Sequence, residues 1–198
     1  MIGALDELLR AAARIQHLFL QYGWRFCFIG GVAVQRWGNP RFTQDIDLTL
    51  LTGFGGEERF IDPLLTQLNP RRPDAREFAL SYRVLLARTS EGIDVDIALG
   101  ALPFEEHTVV RASAWQVDQD VTLTTCSAED LVVHKAFAGR DRDWGDVEHI
   151  LIRQHGKLDL QLIRSELKPL LDLKEETEAL DKLERMIALV ERRLQTGT

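Results

Sequence analysis

The residues best placed to do chemistry in this 198-residue chain are aspartates set in two pairs, Asp45 with Asp47 and Asp94 with Asp96. Asp45, Asp47 and Thr49 alternate with Ile46, Leu48 and Leu50, and Asp94 and Asp96 alternate with Ile93, Val95 and Ile97. Alternation with a period of two marks a strand with one apolar face. Aspartate is disfavoured in strands. Two on one face have Cα atoms roughly 6–7 Å apart, and their carboxylates repel unless something positive sits between them. Mg²⁺, which takes oxygen ligands and keeps room for water and phosphate, meets that need. If the two strands are neighbours, three carboxylates converge. Such a set can hold two divalent ions about 3.5–4 Å apart, the arrangement for in-line phosphoryl displacement. The residues alone do not choose between Asp94 and Asp96 as the third. The plainer reading of either pair is a charged, solvated strand face.

Gly30-Gly31 lies between a predicted strand and a predicted helix, where glycine lets backbone N–H groups approach a phosphate at the helix N-terminus. It is neither a P-loop nor a GxGxxG turn, and a Gly-Gly pair alone is an ordinary turn. Arg41 and Thr43 precede the first acidic pair, and Thr43 is expected on its strand face. Arg41 would meet a phosphate or orient Asp45; its plainer reading is a surface charge. Lys135 interrupts the apolar run Leu131–Phe137, so its ammonium either snorkels to solvent or pairs with an acid. His134 has no partner at metal-ligand spacing and reads as structural. Asp143 reads as a helix N-cap, with Asp146 following. No Ser-His-Asp elbow, CxxC or HExxH motif is present, so acyl transfer and zinc chemistry find no support.

The elements that must position these residues follow from periodicity and breakers. Leu5, Leu8, Leu9, Ala12, Ile15 and Phe19 predict an amphipathic helix stopped by Gly23. Strands are expected at 24–29, 42–51, 82–87 and 93–99, with shorter ones at 115–117 and 121–125. Short helices are expected at 32–37, 57–68 and 103–111, and residues 69–76 read as a polar loop rich in Pro and Arg. Ser127 offers an N-cap for a helix running through about Ala138. A further helix is expected from Asp143 to about Gln154. Only helices are expected beyond, at 160–171 and 175–194. Strands and helices up to about residue 126, then helices alone, give an α+β class. The expected division is 1–126 for an α/β core with its N-terminal helix and 127–198 for a C-terminal helical region.

Lys and Arg number 24 against 31 Asp and Glu, a formal net charge of −7 at pH 7. That balance argues against a general nucleic-acid coat, because phosphate affinity comes mainly from Lys and Arg. A local basic rim from Arg71, Arg72, Arg76, Arg140 and Arg142 remains compatible with a polyanionic acceptor. Cys27 and Cys126, far apart in apolar surroundings, read as free thiols of a reducing cytosol. No signal peptide and no run of about 20 apolar residues is visible, so a cytoplasmic location away from membranes is expected.

In order along the chain, these residues resemble a known family. FIGGVAVQRWGNPRFTQDIDLTL is similar to the first motif of the polymerase-β-like nucleotidyltransferase superfamily, and its Arg41-to-Asp47 form is closest to the AbiEii/AbiGii toxin branch. GIDVDIALG resembles the strand of the third carboxylate, and the family pattern favours Asp96. EDLVVHKAFAGRDRDWGDV resembles the branch's later motifs, with Lys135 and Asp146. Gly31 stands where the superfamily commonly has Ser. The resemblance implies a mixed β-sheet flanked by helices. It implies transfer of a nucleoside monophosphate from an NTP to an acceptor hydroxyl, dependent on Mg²⁺ or Mn²⁺. Asp45, Asp47 and Asp96 would bind the metal and Asp96 would take the acceptor's proton. Gly30, Gly31, Arg41, Thr43 and Lys135 would contact the nucleotide, with Asp146 orienting Lys135 or the acceptor. The acceptor would be an RNA or tRNA end, or a protein, and a cognate antitoxin would be the partner. Two other readings stand beside it: a small-molecule (antibiotic) nucleotidyltransferase, favoured by the acidic balance, and a non-catalytic nucleotide-binding module of the same fold.

Overall fold

A computed structural model describes residues 2–196. The chain divides into two compact units, Met1–Val32 with Phe42–Cys126 and Ala33–Arg41 with Ser127–Thr198. Met1, Gly197 and Thr198 lie outside the described residues.

The first unit carries a seven-stranded mixed sheet. In chain order its elements are α1 (Ile2–Gln21), β1 (Phe26–Phe28), the start of α2 (Gly30–Trp37), β2 (Asp45–Leu51), α3 (Glu58–Gln67), β3 (Asn69–Pro70), α4 (Ala75–Tyr82), β4 (Val84–Arg88), β5 (Asp94–Gly100), α5 (Pro103–Arg111), β6 (Ser113–Gln116) and β7 (Thr122–Thr125). The strand order is β3-β4-β5-β2-β1-β7-β6. The β2–β5 and β1–β7 pairs are parallel; the others are antiparallel.

Alternation fixes which face of this sheet is core. Ile46, Leu48 and Leu50 of β2, Val95, Ile97 and Leu99 of β5, and Leu85 and Ala87 of β4 are buried together. Leu8, Ala12, Ile15 and Phe19 of α1, Phe60, Ile61 and Leu64 of α3, and Ala75 and Ala79 of α4 join the same cluster. Burying these side chains supplies the main driving force for the unit. A one-residue slip in β2 would turn its aspartates into that core, so the apolar pattern also fixes where the acids point. On the opposite face α5 packs over the Gly100 end: a Cβ at Gly100 would stand 2.9 Å from Thr49 Cγ2 and 3.3 Å from Glu105 Cβ.

One helix departs from the sequence expectation. Residues 69–76 read as a loop, yet α4 begins at Ala75 and runs to Tyr82, after a short β3. Its buried residues are only Ala75 and Ala79, while its larger apolar side chains, Phe78, Leu80 and Tyr82, are less buried, so its signal is weak; packing against β4 decides it.

The second unit is helical: α6 (Ala128–Ala138), α7 (Asp141–Arg153), α8 (Leu160–Lys174) and α9 (Glu178–Gln195), with residues 33–37 of α2 and the segment up to Arg41. Ser127 caps α6 by accepting from the Asp130 N–H at 3.0 Å, and Asp159 caps α8 by accepting from the Leu162 N–H at 2.9 Å. Leu131, Val147, Ile150, Ile163, Leu167, Leu183 and Ile187 are buried in this unit. Gln154 donates to the Trp37 carbonyl at 3.1 Å and Arg153 to the Gly38 carbonyl, tying the Ala33–Arg41 segment to α7. No helix among the described residues is long and apolar enough to cross a membrane.

Candidate active site

Parallel pairing sets Asp45 beside Asp94 and Asp47 beside Asp96. Residues paired in register share a sheet face, and adjacent strands lie about 4.8 Å apart. The two acidic pairs therefore form one block of four carboxylates, with the apolar neighbours of each buried behind them.

Each carboxylate has its own support. Asp47 sits against the first turn of α2: the Gly31 N–H donates to its Oδ2 at 3.4 Å, and the Ile29 N–H donates to its carbonyl at 3.0 Å. The positive end of the helix favours a negative charge there. Gly30 has φ +53°, and a Cβ on it would fall 2.0 Å from Asp47 Oδ2 and 2.6 Å from Asp47 Cβ. The second contact is with an atom fixed by the strand backbone, so this position requires glycine. A Cβ at Gly31 would fall 2.2 Å from Thr43 Oγ1, and that hydroxyl donates to Asp45 Oδ1 at 2.8 Å. The space a side chain at position 31 would fill thus holds the Thr43 hydroxyl, which accounts for Gly where Ser is common in the resembling family.

The second pair is matched by guanidinium groups. Arg71 binds Asp96 through Nη1 and lies 3.3 Å from Asp94 through Nε. Arg88, opposite Asp94 across the β4–β5 ladder, binds it at 2.6 Å. The Arg88 bond holds the Asp94 carboxyl below its ordinary range. Asp96 is raised instead: burial outweighs Arg71, with Asp45 and Asp94 adding like-charge repulsion. Arg71 entered the sequence reading only as part of a basic rim, and Arg88 not at all. Of that rim, Arg72 and Arg76 are engaged by Asp74 and Asp62.

The donor set suits a hard divalent cation, being carboxylate oxygen throughout on one face beside a side-chain-free turn. As they stand, no three Asp, Glu, His or Cys side chains among the described residues converge closely enough to hold an ion. Arg71 binds the Asp96 carboxylate that would complete such a set.

In the helical unit, a second cluster gathers Lys135, Arg41 and Asp146. Lys135 Nζ lies 3.0 Å from Asp143 Oδ1 and 2.9 Å from Asp146 Oδ2. Arg41 binds Asp146 with two parallel bonds of 2.7 Å, and Arg140 binds Asp143 at 2.6 Å. Lys135, Asp143 and Asp146 are buried. Burial alone would raise both aspartates; the hydrogen bonds from Arg140 and Lys135 to Asp143, and from Arg41 and Lys135 to Asp146, outweigh it and hold both below the carboxylate range. Asp143, expected to cap a helix, lies within the first turn of α7 and serves as Lys135's partner. Arg41 bonds Asp146 rather than Asp45.

His134 lies beside this cluster in sequence, with its Nε2 shielded from solvent. Burial, opposed by Asp130 and aided by Lys135, lowers its pKa from 6.5 to about 4. The folded protein then resists a proton that the unfolded chain accepts below pH 6.5. Stability therefore falls as pH drops from 6.5 toward 4, by up to roughly 3 kcal/mol from this group. Urea midpoints between pH 7 and pH 4.5 should decline for the wild type and decline less for His134→Gln.

A family model described as "Nucleotidyl transferase AbiEii toxin, Type IV TA system" matches residues 16–194. No curated protein matches the sequence. Among solved structures, an antigenic nucleotidyltransferase-like protein from Paracoccidioides brasiliensis aligns over 93% of this chain and 94% of its own, with 13% identity and a TM-score of 0.54. The lincomycin-bound lincosamide antibiotic adenylyltransferase LnuA aligns over 69% and 92%, with 16% identity and a TM-score of 0.44. The antibiotic-resistance factor ANT(2'')-Ia aligns over 97% and 92%, with 15% identity and a TM-score of 0.39. The match over residues 16–194 takes in the acidic block, the Gly30-Gly31 turn and the Lys135 cluster alike: the chain has a nucleotidyltransferase-like α+β fold and belongs to the AbiEii family of nucleotidyltransferase toxins.

Proposed function

We propose that the protein transfers a nucleoside monophosphate from a nucleoside triphosphate to an acceptor hydroxyl, dependent on Mg²⁺ or Mn²⁺, as the toxin of a toxin–antitoxin pair. The observation that carries this reading is the in-register pairing of Asp47 with Asp96 beside the Gly30-Gly31 turn. Asp45, Asp47 and Asp96 would hold the metal. The family pattern favours Asp96 as the third carboxylate, and the independent pairing of Asp94 with Arg88 supports that choice. When bound, divalent cations neutralise the triphosphate and ease deprotonation of the acceptor. Gly30 and Gly31 let phosphate oxygens approach the N-terminus of α2, and Thr43 fixes Asp45. The acceptor oxygen bonds to the α-phosphorus as the bond from that phosphorus to the bridging oxygen breaks. Pyrophosphate leaves, and Asp96 takes the acceptor's proton.

The acceptor is an RNA or tRNA end, or a protein, as the resemblance implies, with a tRNA end the first to test; a cognate antitoxin is the counterpart, and the toxin description of the matching family supports that partner. The reaction draws on cytoplasmic nucleotides. The test incubates purified protein with Mg²⁺, each α-labelled triphosphate in turn, and total RNA. Label on RNA from one triphosphate is the expected result. Label on a protein or small molecule would replace the acceptor, and no transfer with any triphosphate or acceptor would overturn the reading in favour of a binding module.

A further inference from the structure

We propose that Arg71 is a resident counter-ion of the acidic block, which holds Asp96 until a divalent cation arrives and then passes to the triphosphate. This deepens the nucleotidyltransferase reading and rests on it. Arg71 bridges Asp94 and Asp96 from the segment after β3, and its guanidinium occupies the carboxylate that a cation would need. A cation and a guanidinium therefore compete for the same oxygen atoms.

The surroundings suit an exchange. The Arg71 N–H donates to the Leu86 carbonyl at 3.1 Å, which anchors its backbone to β4. Its side chain is 26% exposed and that of Asp96 35%, so the bond between them is reached by solvent. A part-exposed ion pair of this kind holds weakly, and a flexible Arg stem can swing without moving the strand. Asp94 does not lose its cover when Arg71 leaves, because Arg88 binds it independently. Departure thus frees Asp96 alone. Guanidinium is also the group best matched to phosphate oxygens, which it binds with two parallel N–H donors. A triphosphate brought in with its cation offers Arg71 a stronger anion than the carboxylate it gives up. Cation binding and triphosphate binding are coupled through one side chain: each favours the position of Arg71 that the other needs.

The test measures Mn²⁺ binding to the full chain by electron paramagnetic resonance of the free ion, without nucleotide, and tripolyphosphate binding at saturating Mn²⁺ by calorimetry. Arg71→Gln should bind Mn²⁺ about fivefold more tightly than the wild type and tripolyphosphate about tenfold more weakly. Arg71→Lys keeps the charge, so its Mn²⁺ affinity should stay within about twofold of the wild type. It also serves as the folding control. Unchanged or weaker Mn²⁺ binding by Arg71→Gln overturns the proposal, and so does an equal gain in Arg71→Lys. Asp47→Asn separates the two levels of argument. If that substitution removes Mn²⁺ binding, the acidic block is the site, and the Arg71 variants alone decide the proposal. If wild-type Mn²⁺ binding is untouched by Asp47→Asn, the nucleotidyltransferase reading itself fails.

Discussion

Asp47→Asn lowers nucleotidyl transfer by about 10³-fold or more and leaves the fold intact. The substitution keeps an oxygen that can accept from the Gly31 N–H, so the turn into α2 retains its hydrogen bond. What it removes is one negative charge from a block where four carboxylates face two guanidinium groups. Crowded like charges cost folding energy, so without metal the variant should melt no lower than the wild type, and slightly higher. Loss of transfer combined with an undiminished melting temperature separates a chemical role from a structural one. Thermal melts and single-turnover transfer on the same preparation make the comparison. Transfer within tenfold of the wild type would end the assignment of Asp47, and a fall of many degrees would mean that the carboxylate is there for folding.

The acidic pairs were legible because alternation with buried Ile, Leu and Val leaves little freedom about where Asp45, Asp47, Asp94 and Asp96 point. Their meeting was not. β2 and β5 are parallel neighbours, and α3, β3, α4 and β4 intervene in the chain; nothing local encodes that adjacency. The Arg88–Asp94 pair was readable in principle. The turn at Ser90-Glu91-Gly92 centres the β4–β5 hairpin on Glu91 and sets Arg88 opposite Asp94, but the expected strand stopped at Ala87. Arg71 is different: it reaches Asp96 only because β3 adds to the edge of β4, a two-residue pairing with no periodic signal. Gly31 shows the same limit at the scale of one atom. The sequence registers the loss of a hydroxyl, whereas the fold puts the Thr43 hydroxyl in the space concerned. Likewise Asp143, three residues after an Arg and at the start of a helix, has every local mark of a cap. It instead takes bonds from Arg140 and from Lys135 on the preceding helix.

That partnership sets the second large effect. Asp146→Ala should cost about 3 kcal/mol of folding stability. Its carboxylate is buried and accepts two bonds from Arg41 and one interaction from Lys135. Arg41 is part-exposed and can turn to water once released, but the Lys135 ammonium is buried and keeps only Asp143. Lys135→Met leaves each aspartate its own arginine, Arg140 for Asp143 and Arg41 for Asp146. Combining the two substitutions removes the stranded charge along with its lost partner, so the double variant should be more stable than the sum of the single losses predicts, by at least about 1 kcal/mol. Urea denaturation with an unchanged slope is the measurement, since a shifted midpoint at constant slope reports stability alone. Strict additivity would mean that Lys135 and Asp146 contribute to stability separately.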